Sequence, residues 1–255
     1  MKIAVYQAPS PKGDVERAFD VITAVLHAAA QSGAEITIMP ELFLPGYNQP
    51  NLARQLAEAQ DGPWERRLSD LCVAAGCGLV TGWAERDGTR IFNSACCFDR
   101  TGRKIGHYRK VQLFGPMEKD VYTAGDSYTV FDLSGRRAAL LICYDVEFAH
   151  HVAELAARGV ELLLVPTANP AGFDNVPDLL VPARASENRM TIAYANYCGV
   201  EGNLSYGGKS VVVGPDGAPL CKAGRGEVLM VADLGVADAL EPAWLSTQAA
   251  DRRDL

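Results

Sequence analysis

The chain contains no CxxC pair, no apolar run long enough to span a bilayer and no dense basic stripe. Its seven cysteines (Cys72, Cys77, Cys96, Cys97, Cys143, Cys198, Cys221) are odd in number and scattered. They do not fall at zinc-ligand spacing from the four histidines, His27, His107, His150 and His151, so neither a disulfide framework nor a zinc site is expected. The longest basic stretch, Arg103 to Lys110, is interrupted by apolar residues and His107, and the formal charge is -7; no nucleic-acid surface is expected. The N-terminus MKIAVYQAP turns polar too soon for a signal peptide, so the expected setting is the cytoplasm, with reduced thiols and no membrane partner. There is no repeat of fixed period and nothing that reads as a linker. A composition of 48% apolar and 22% charged residues over 255 positions is that of an ordinary globular protein, and one domain, 1–255, is expected.

What is present is an alternation of short apolar runs and amphipathic stretches. KIAVYQA reads as a strand, Asp14 to Ser32 as a helix stopped by Gly33, and EITIMP as a second strand, which gives a β-α-β opening. A helix over Pro63 to Ala75 and the strand LVTGWAE repeat the rhythm. FNSACCFDRTGRKIGHYRK reads as a hairpin turning at Asp99 to Gly102. AALLIC, a helix over His150 to Arg158, ELLLVPTA, a helix over Pro182 to Arg189, TIAYANY and the KSVVVGPDGAPL hairpin follow, with a terminal arm from Ala237. Several strands alternate polar with apolar residues, which predicts mixed sheets stacked on one another with helices outside.

Three polar residues stand where strands run out, and ligands of α/β sheets gather at the carboxyl ends of strands. Glu41 follows ITIMP and precedes Leu42, Phe43 and Leu44, an apolar setting that would raise its pKa if buried; it reads equally as a solvated loop carboxylate. Lys110 closes GHYRK, where a lysine commonly snorkels outward and Arg109 is the more natural surface residue. Cys143 closes the apolar run of LLICYDVEF, and an acid two residues on is hard to ascribe to packing. To act as a nucleophile the thiol needs a base or a cation: His150 and His151 lie near in sequence but on a helix leading away, which favours Glu41 and Lys110. An inert core cysteine is the competing reading.

PELFLPGY, YRKVQLFG, LLICYDVEF, RASEN and GPDG, in this order and spread from KIAVYQ almost to the C-terminus, resemble the motifs of the carbon-nitrogen hydrolase family, which includes nitrilases, aliphatic amidases and carbamoylases. The resemblance implies an α/β fold, a four-layer α-β-β-α sandwich, and a catalytic triad of Glu41, Lys110 and Cys143. It also implies a second glutamate supporting the lysine, best matched by Glu118 with Asp120 as the competing neighbour, and assembly into homodimers or larger homo-oligomers through the outer helices. Glu41 would take the proton as Cys143 attacks an amide carbonyl, and Lys110 with the backbone N–H of Tyr144 would hold the oxyanion. This chemistry requires no cofactor and no metal.

VPTANP, YANYCGVE and ICYDVEF are similar to stretches of members that hydrolyse 5-aminovaleramide. Members acting on substrates with a free carboxylate place arginine just after the cysteine motif, where this chain has Val146 and Glu147. An acid facing the pocket would repel an anion and attract an ammonium, which points to a small amine-bearing amide as the partner molecule; Glu147 as a structural or surface residue is the alternative. TANPAGFDNVPD should lie over the same site, with Asn169, Phe173 and Asp174 as candidate substrate contacts, and Asp174 or Glu201 could share the ammonium. An N-carbamoyl amine hydrolase, a nitrilase and a non-catalytic binding protein are the rival functions.

Overall fold

The computed structural model describes residues 1–251 and 253. Strand β1 (Lys2–Pro9) leads into helix α1 (Val15–Gln31), which Asp14 caps by accepting a hydrogen bond from the Arg17 N–H at 3.0 Å. Ala18, Phe19, Ile22, Val25, Leu26 and Ala29 recur at helical spacing, and all are buried. Gly33 at φ +80° ends the helix in the left-handed region, and β2 (Ile36–Ile38) follows. Next come α2 (Pro50–Leu56), α3 (Pro63–Ala75), β3 (Gly78–Asp87), β4 (Arg90–Phe98), β5 (Lys104–Arg109), α4 (Gly115–Val121), β6 (Val130–Leu133) and β7 (Arg136–Leu140). A 3-10 turn, Cys143–Glu147, precedes α5 (Ala149–Ala157), β8 (Leu162–Pro166), a π turn at Val176–Leu180, α6 (Val181–Asn188) and β9 (Thr191–Ala195). Six further strands are β10 (Tyr197–Cys198), β11 (Val200–Glu201), β12 (Leu204–Ser205), β13 (Val211–Val213), β14 (Pro219–Lys222) and β15 (Val228–Asp233).

Two mixed sheets result. One runs β10-β1-β2-β3-β4-β5 with β15 also on β1; the other runs β14-β13-β9-β8-β7-β6. β1, β2 and β3 are parallel, as are β7, β8 and β9, and antiparallel strands complete each sheet. Alternation along each strand sets the layers. Ile3, Val5, Ile36, Ile38 and Val80 share a core with Leu140, Leu163 and Ile192 of the other sheet, whereas Ala4, Tyr6 and Leu79 pack on Phe19, Ile22 and Leu26 of α1. Val152 and Leu155 of α5 and Val181 and Ala185 of α6 join the core of the second sheet, so the layers run α-β-β-α as expected. Each large aliphatic or aromatic side chain enclosed in this way contributes about 1.5–3 kcal/mol.

The expected elements form within about three residues of their boundaries, AALLIC ending at Leu140 and leaving Cys143 to the following turn, with instructive exceptions. α2 and α4 escape periodicity because each is seven residues long and buries little on one face, Ala53 in α2 and Glu118 and Val121 in α4. TIAYANY is not one strand: Asn196 interrupts it, donating to the carbonyls of Asn169 and Gly208 while accepting from the N–H of Asn169 and Tyr197, and the chain passes to the first sheet as β10. β15 forms because β1 offers it an antiparallel edge from Lys2 to Gln7, a long-range pairing that no local pattern announces. Beyond Ala237 the expected arm holds only short helical turns, with Gln248–Asp251 against α6; Arg252, Asp254 and Leu255 lie outside the described residues.

Candidate active site

Glu41 lies three residues beyond β2, Lys110 directly beyond β5, and Cys143 three residues beyond β7, all at carboxyl ends of strands. The two sheets are stitched together there: the Glu41 N–H donates to the Thr167 carbonyl at the end of β8 (3.3 Å). Leu42 and Cys143 sit at φ +48° and +46°, a left-handed conformation uncommon for residues with a side chain and one that persists only when neighbouring contacts enforce it. Close approach is part of that enforcement, since a Cβ on Gly82 would stand 2.9 Å from the backbone N of Leu42 and 2.8 Å from the carbonyl of Ser94.

Glu41, Lys110 and Glu118 are fully buried and form one row. Lys110 Nζ lies 2.6 Å from Glu41 Oε1 and 2.7 Å from Glu118 Oε1. Asn93 donates its amide to Glu41 Oε1 (2.6 Å), while Glu118 accepts from the Tyr47 hydroxyl (2.7 Å) and the Phe114 N–H (2.9 Å). Glu41 Oε2 has no hydrogen-bond partner among the described residues. Burial, opposed by Lys110 and reinforced by the charge of Glu118, pushes the Glu41 carboxyl up to about 7, in reach of proton exchange near neutrality. For Lys110 burial works the other way, but Glu118 and Glu41 outweigh it and hold the ammonium well above its ordinary range. Arg109, one residue back, turns to the outer face and pairs with Glu85 and Asp87, so the strand's alternation decides which cation enters the site.

Cys143 keeps 8% of its surface exposed, whereas Cys96 and Cys97 keep none, and it lies in the field of both Glu41 and Lys110. Burial and the Glu41 charge push its thiol well above the ordinary range while Lys110, the Thr167 side chain and the Ala168 backbone pull it back, so a thiolate forms there only as a base takes the proton. The 3-10 pattern makes Asp145 the first bonded N–H of the turn, which leaves the Tyr144 N–H without an intrahelical acceptor. His151 is held instead by Gln112, 3.0 Å away, and by the Tyr128 hydroxyl, and His150 is exposed.

The peripheral expectations divide. Glu147 is half-buried on the same turn as Cys143, within the field of Lys110 and Arg184, and its carboxylate has no hydrogen-bond donor among the described residues. Phe173 overhangs the turn through Phe114: its ring meets that of Phe114 at 6.0 Å, and Phe114 meets Tyr144 at 5.2 Å. Asn169 shapes this loop, its side-chain amide donating to the Phe173 carbonyl at 3.0 Å. Two further candidates have partners within the protein. Asp174 is taken up by Arg225 (2.6 Å) and Lys209 (3.0 Å), which hold its carboxyl below the usual range. Glu201 is fully buried and accepts from the Asn48 N–H, the Gln49 amide and the Tyr206 hydroxyl. Both acids are thus engaged by donors of the protein itself.

The carbon-nitrogen hydrolase family model matches residues 2–240. The chain belongs to the carbon-nitrogen hydrolase family. It is 38% identical to a Pseudomonas protegens protein described as "Hydrolase in pqqF 5'region", over 99% of this chain and 89% of that one. An (R)-stereoselective amidase of Pseudomonas sp. is 31% identical, with 92% and 85% covered. Among solved structures, an amidase of Nesterenkonia sp. superposes with a TM-score of 0.90 at 38% identity, covering 99% of this chain and 93% of that one, and another of its structures shows acrylamide added at the active-site cysteine. Family and fold together make this chain an amide-hydrolysing enzyme of the nitrilase superfamily.

In this hydrolase, sequence reasoning passed over Asn93 and Tyr47, and marked Asp145 as out of place without assigning it a role. Asn93 carried a signal: with Ala95 and Cys97 it alternates onto the face of β4 that meets the inter-sheet core, where a polar residue needs a partner. Tyr47 carried only its place as the last residue of PELFLPGY. Among the described residues no group of three or more His, Cys, Asp or Glu is arranged to hold a metal ion, and no helix is long and apolar enough to cross a membrane.

Proposed function

We propose that the enzyme hydrolyses the carboxamide of a small aliphatic amide through a thioester on Cys143, with Glu41 as the base, Lys110 and the Tyr144 N–H as oxyanion donors, and Glu118 holding Lys110 in place. The observation that carries this reading is the buried Glu41–Lys110–Glu118 row, with one Glu41 oxygen left unpartnered beside a thiol. Glu41 takes the thiol proton as sulfur bonds to the carbonyl carbon, and the electron pair moves onto oxygen. The proton then passes to nitrogen, the C–N bond breaks and ammonia leaves. Water attacks the thioester, giving its proton to Glu41, and the carboxylic acid departs as the proton returns to sulfur. Loss of one oxyanion donor in such a site costs about 3–4 kcal/mol, and loss of the base about 10²–10⁴ in rate.

For the substrate the reading is an amide with an amine at its far end, such as 5-aminovaleramide. Glu147 supports it: burial pushes this carboxyl up, Lys110 and Arg184 pull it down, and an incoming ammonium would find an acceptor not already engaged. The same reading has homodimers built on the outer face of α5 and α6, where Ala149, Ala153 and Ala156 line a groove of about 600 Å³, and a reducing, cytoplasmic setting in which the unpaired thiols persist. Ammonia release from 5-aminovaleramide, butyramide, N-carbamoylputrescine and an aliphatic nitrile tests the reaction and its substrate together. Preference for the nitrile or the carbamoyl amine, or an anionic amide outpacing its amine-bearing analogue, would overturn the assignment. Iodoacetamide should label Cys143 ahead of the other six cysteines near neutral pH, and substrate should protect it.

A further inference from the structure

The acid two residues after the cysteine has no part in the roles above. Asp145 is fully buried within the Cys143–Glu147 turn. Its Oδ1 accepts the Gln112 N–H at 2.7 Å, and its Oδ2 accepts the Ile142 N–H at 3.0 Å and the Tyr108 hydroxyl at 2.9 Å. The donors come from two places. Ile142 directly precedes Cys143 at the end of β7, whereas Tyr108 and Gln112 stand two residues either side of Lys110 at the end of β5. One carboxylate therefore spans the two sheets, and it does so beside a cysteine held at φ +46°, a conformation that relaxes unless its surroundings fix it.

We propose that Asp145 is a positioning residue for the amide hydrolysis assigned to this site, tying the loop that carries Lys110 to the turn that presents Cys143. The inference rests on the proposed function, since it is the encounter of thiol and ammonium around one carbonyl that the tie secures. The groups facing Asp145 are the Lys110 ammonium, the hydroxyls of Tyr108 and Tyr128, and the N–H groups of Gln112 and Ile142. Burial pushes its carboxyl up to about 6 against the pull of Lys110 and those donors, so a second proton, besides that of Glu41, enters the site on the acid side. A protonated Asp145 turns one acceptor position into a donor, and the tie loosens.

Asp145→Asn tests this with little change of shape: one oxygen remains, and the new amide meets N–H or O–H donors. With the best amide of the panel, kcat is expected to fall about 10- to 100-fold, as a misplacement of an ångström or less can cause, with KM within about threefold. The acid limb of kcat should change from two protons to one, while thermal unfolding stays cooperative. Tyr108→Phe removes one donor and should lower kcat by a smaller factor. A folded Asp145→Asn enzyme with kcat within about twofold of wild type, or with lowered kcat but an unchanged two-proton limb, overturns the proposal. If that variant does not fold, undiminished kcat in Tyr108→Phe overturns it. Failure of the wild-type protein to release ammonia from any amide counts instead against the amidase reading. Cys143 alkylation by iodoacetamide then still decides the tie, supporting it if slower in Asp145→Asn and opposing it if unchanged.

Discussion

Glu41→Gln should separate activity from stability in this enzyme. The substitution keeps an oxygen that can accept from Lys110 Nζ and from the Asn93 amide, both 2.6 Å away, and removes the charge and the proton acceptor. Under the proposed mechanism the thiol, already above its ordinary range, then has no base. The rate constant kcat should fall at least 10²–10⁴-fold, about 3–5 kcal/mol of barrier. The fold should respond in the opposite sense. A carboxyl near 7 in the folded chain and near 4.5 when exposed binds its proton more tightly in the folded state, so its ionisation opposes folding, increasingly from about pH 4.5 to 7 and at a plateau above. At about 1.4 kcal/mol for each tenfold difference in proton affinity, this amounts to about 3 kcal/mol at pH 7.5, and part of it returns in Glu41→Gln, where nothing needs to ionise. Urea unfolding at pH 7.5 and at pH 5, beside steady-state ammonia release, measures both. Retention of more than about a tenth of wild-type kcat would refute the base assignment. Destabilisation at pH 7.5 beyond that at pH 5 would refute the electrostatic argument.

Lys110→Met leaves the buried carboxylates of Glu41 and Glu118 without their cation and should cost about 3–5 kcal/mol at pH 7.5. With the ammonium gone Glu41 rises further above its exposed value, so the loss should shrink as pH falls to 5.5; a pH-independent loss in urea melts would count against it. Gly125→Ala would place a Cβ 2.2 Å from the Arg109 carbonyl, where the Gly125 N–H now holds the Lys110 carbonyl at 2.8 Å. About 1–3 kcal/mol of stability should go, together with about tenfold in kcat, and a wild-type melting curve would show that the loop yields freely. Glu147→Gln should raise KM for 5-aminovaleramide about tenfold, near 1.4 kcal/mol, and leave butyramide unaffected; an equal change for both amides removes the ammonium contact.

Some of this site could be read from the chain because strand ends are local features. Glu41, Lys110 and Cys143 each close an apolar run, and the sheets carry those ends to one place. Asp145 was visible as an oddity but not assignable, since its donors Tyr108 and Gln112 lie more than thirty residues away. The partners of Asp174 and Glu201 were not legible for the same reason. Whether an acid is free or spent depends on Arg225 and Lys209 in the first case and on Asn48, Gln49 and Tyr206 in the second, and none of these adjoins its acid in an informative pattern.

The amino-acid order by itself determined the alternation of strand and helix, the layers that alternation dictates, and the side chains able to carry nucleophile, cation and base. Those properties follow from periodicity and from residue chemistry, which are written locally. Only the folded chain decided which charges cancel. Lys110 is neutralised by two carboxylates, Asp174 by two cations, and Glu147 by no hydrogen-bond donor among the described residues, because through-space distance and burial set the strength of a charge, and both are properties of the packed sheets.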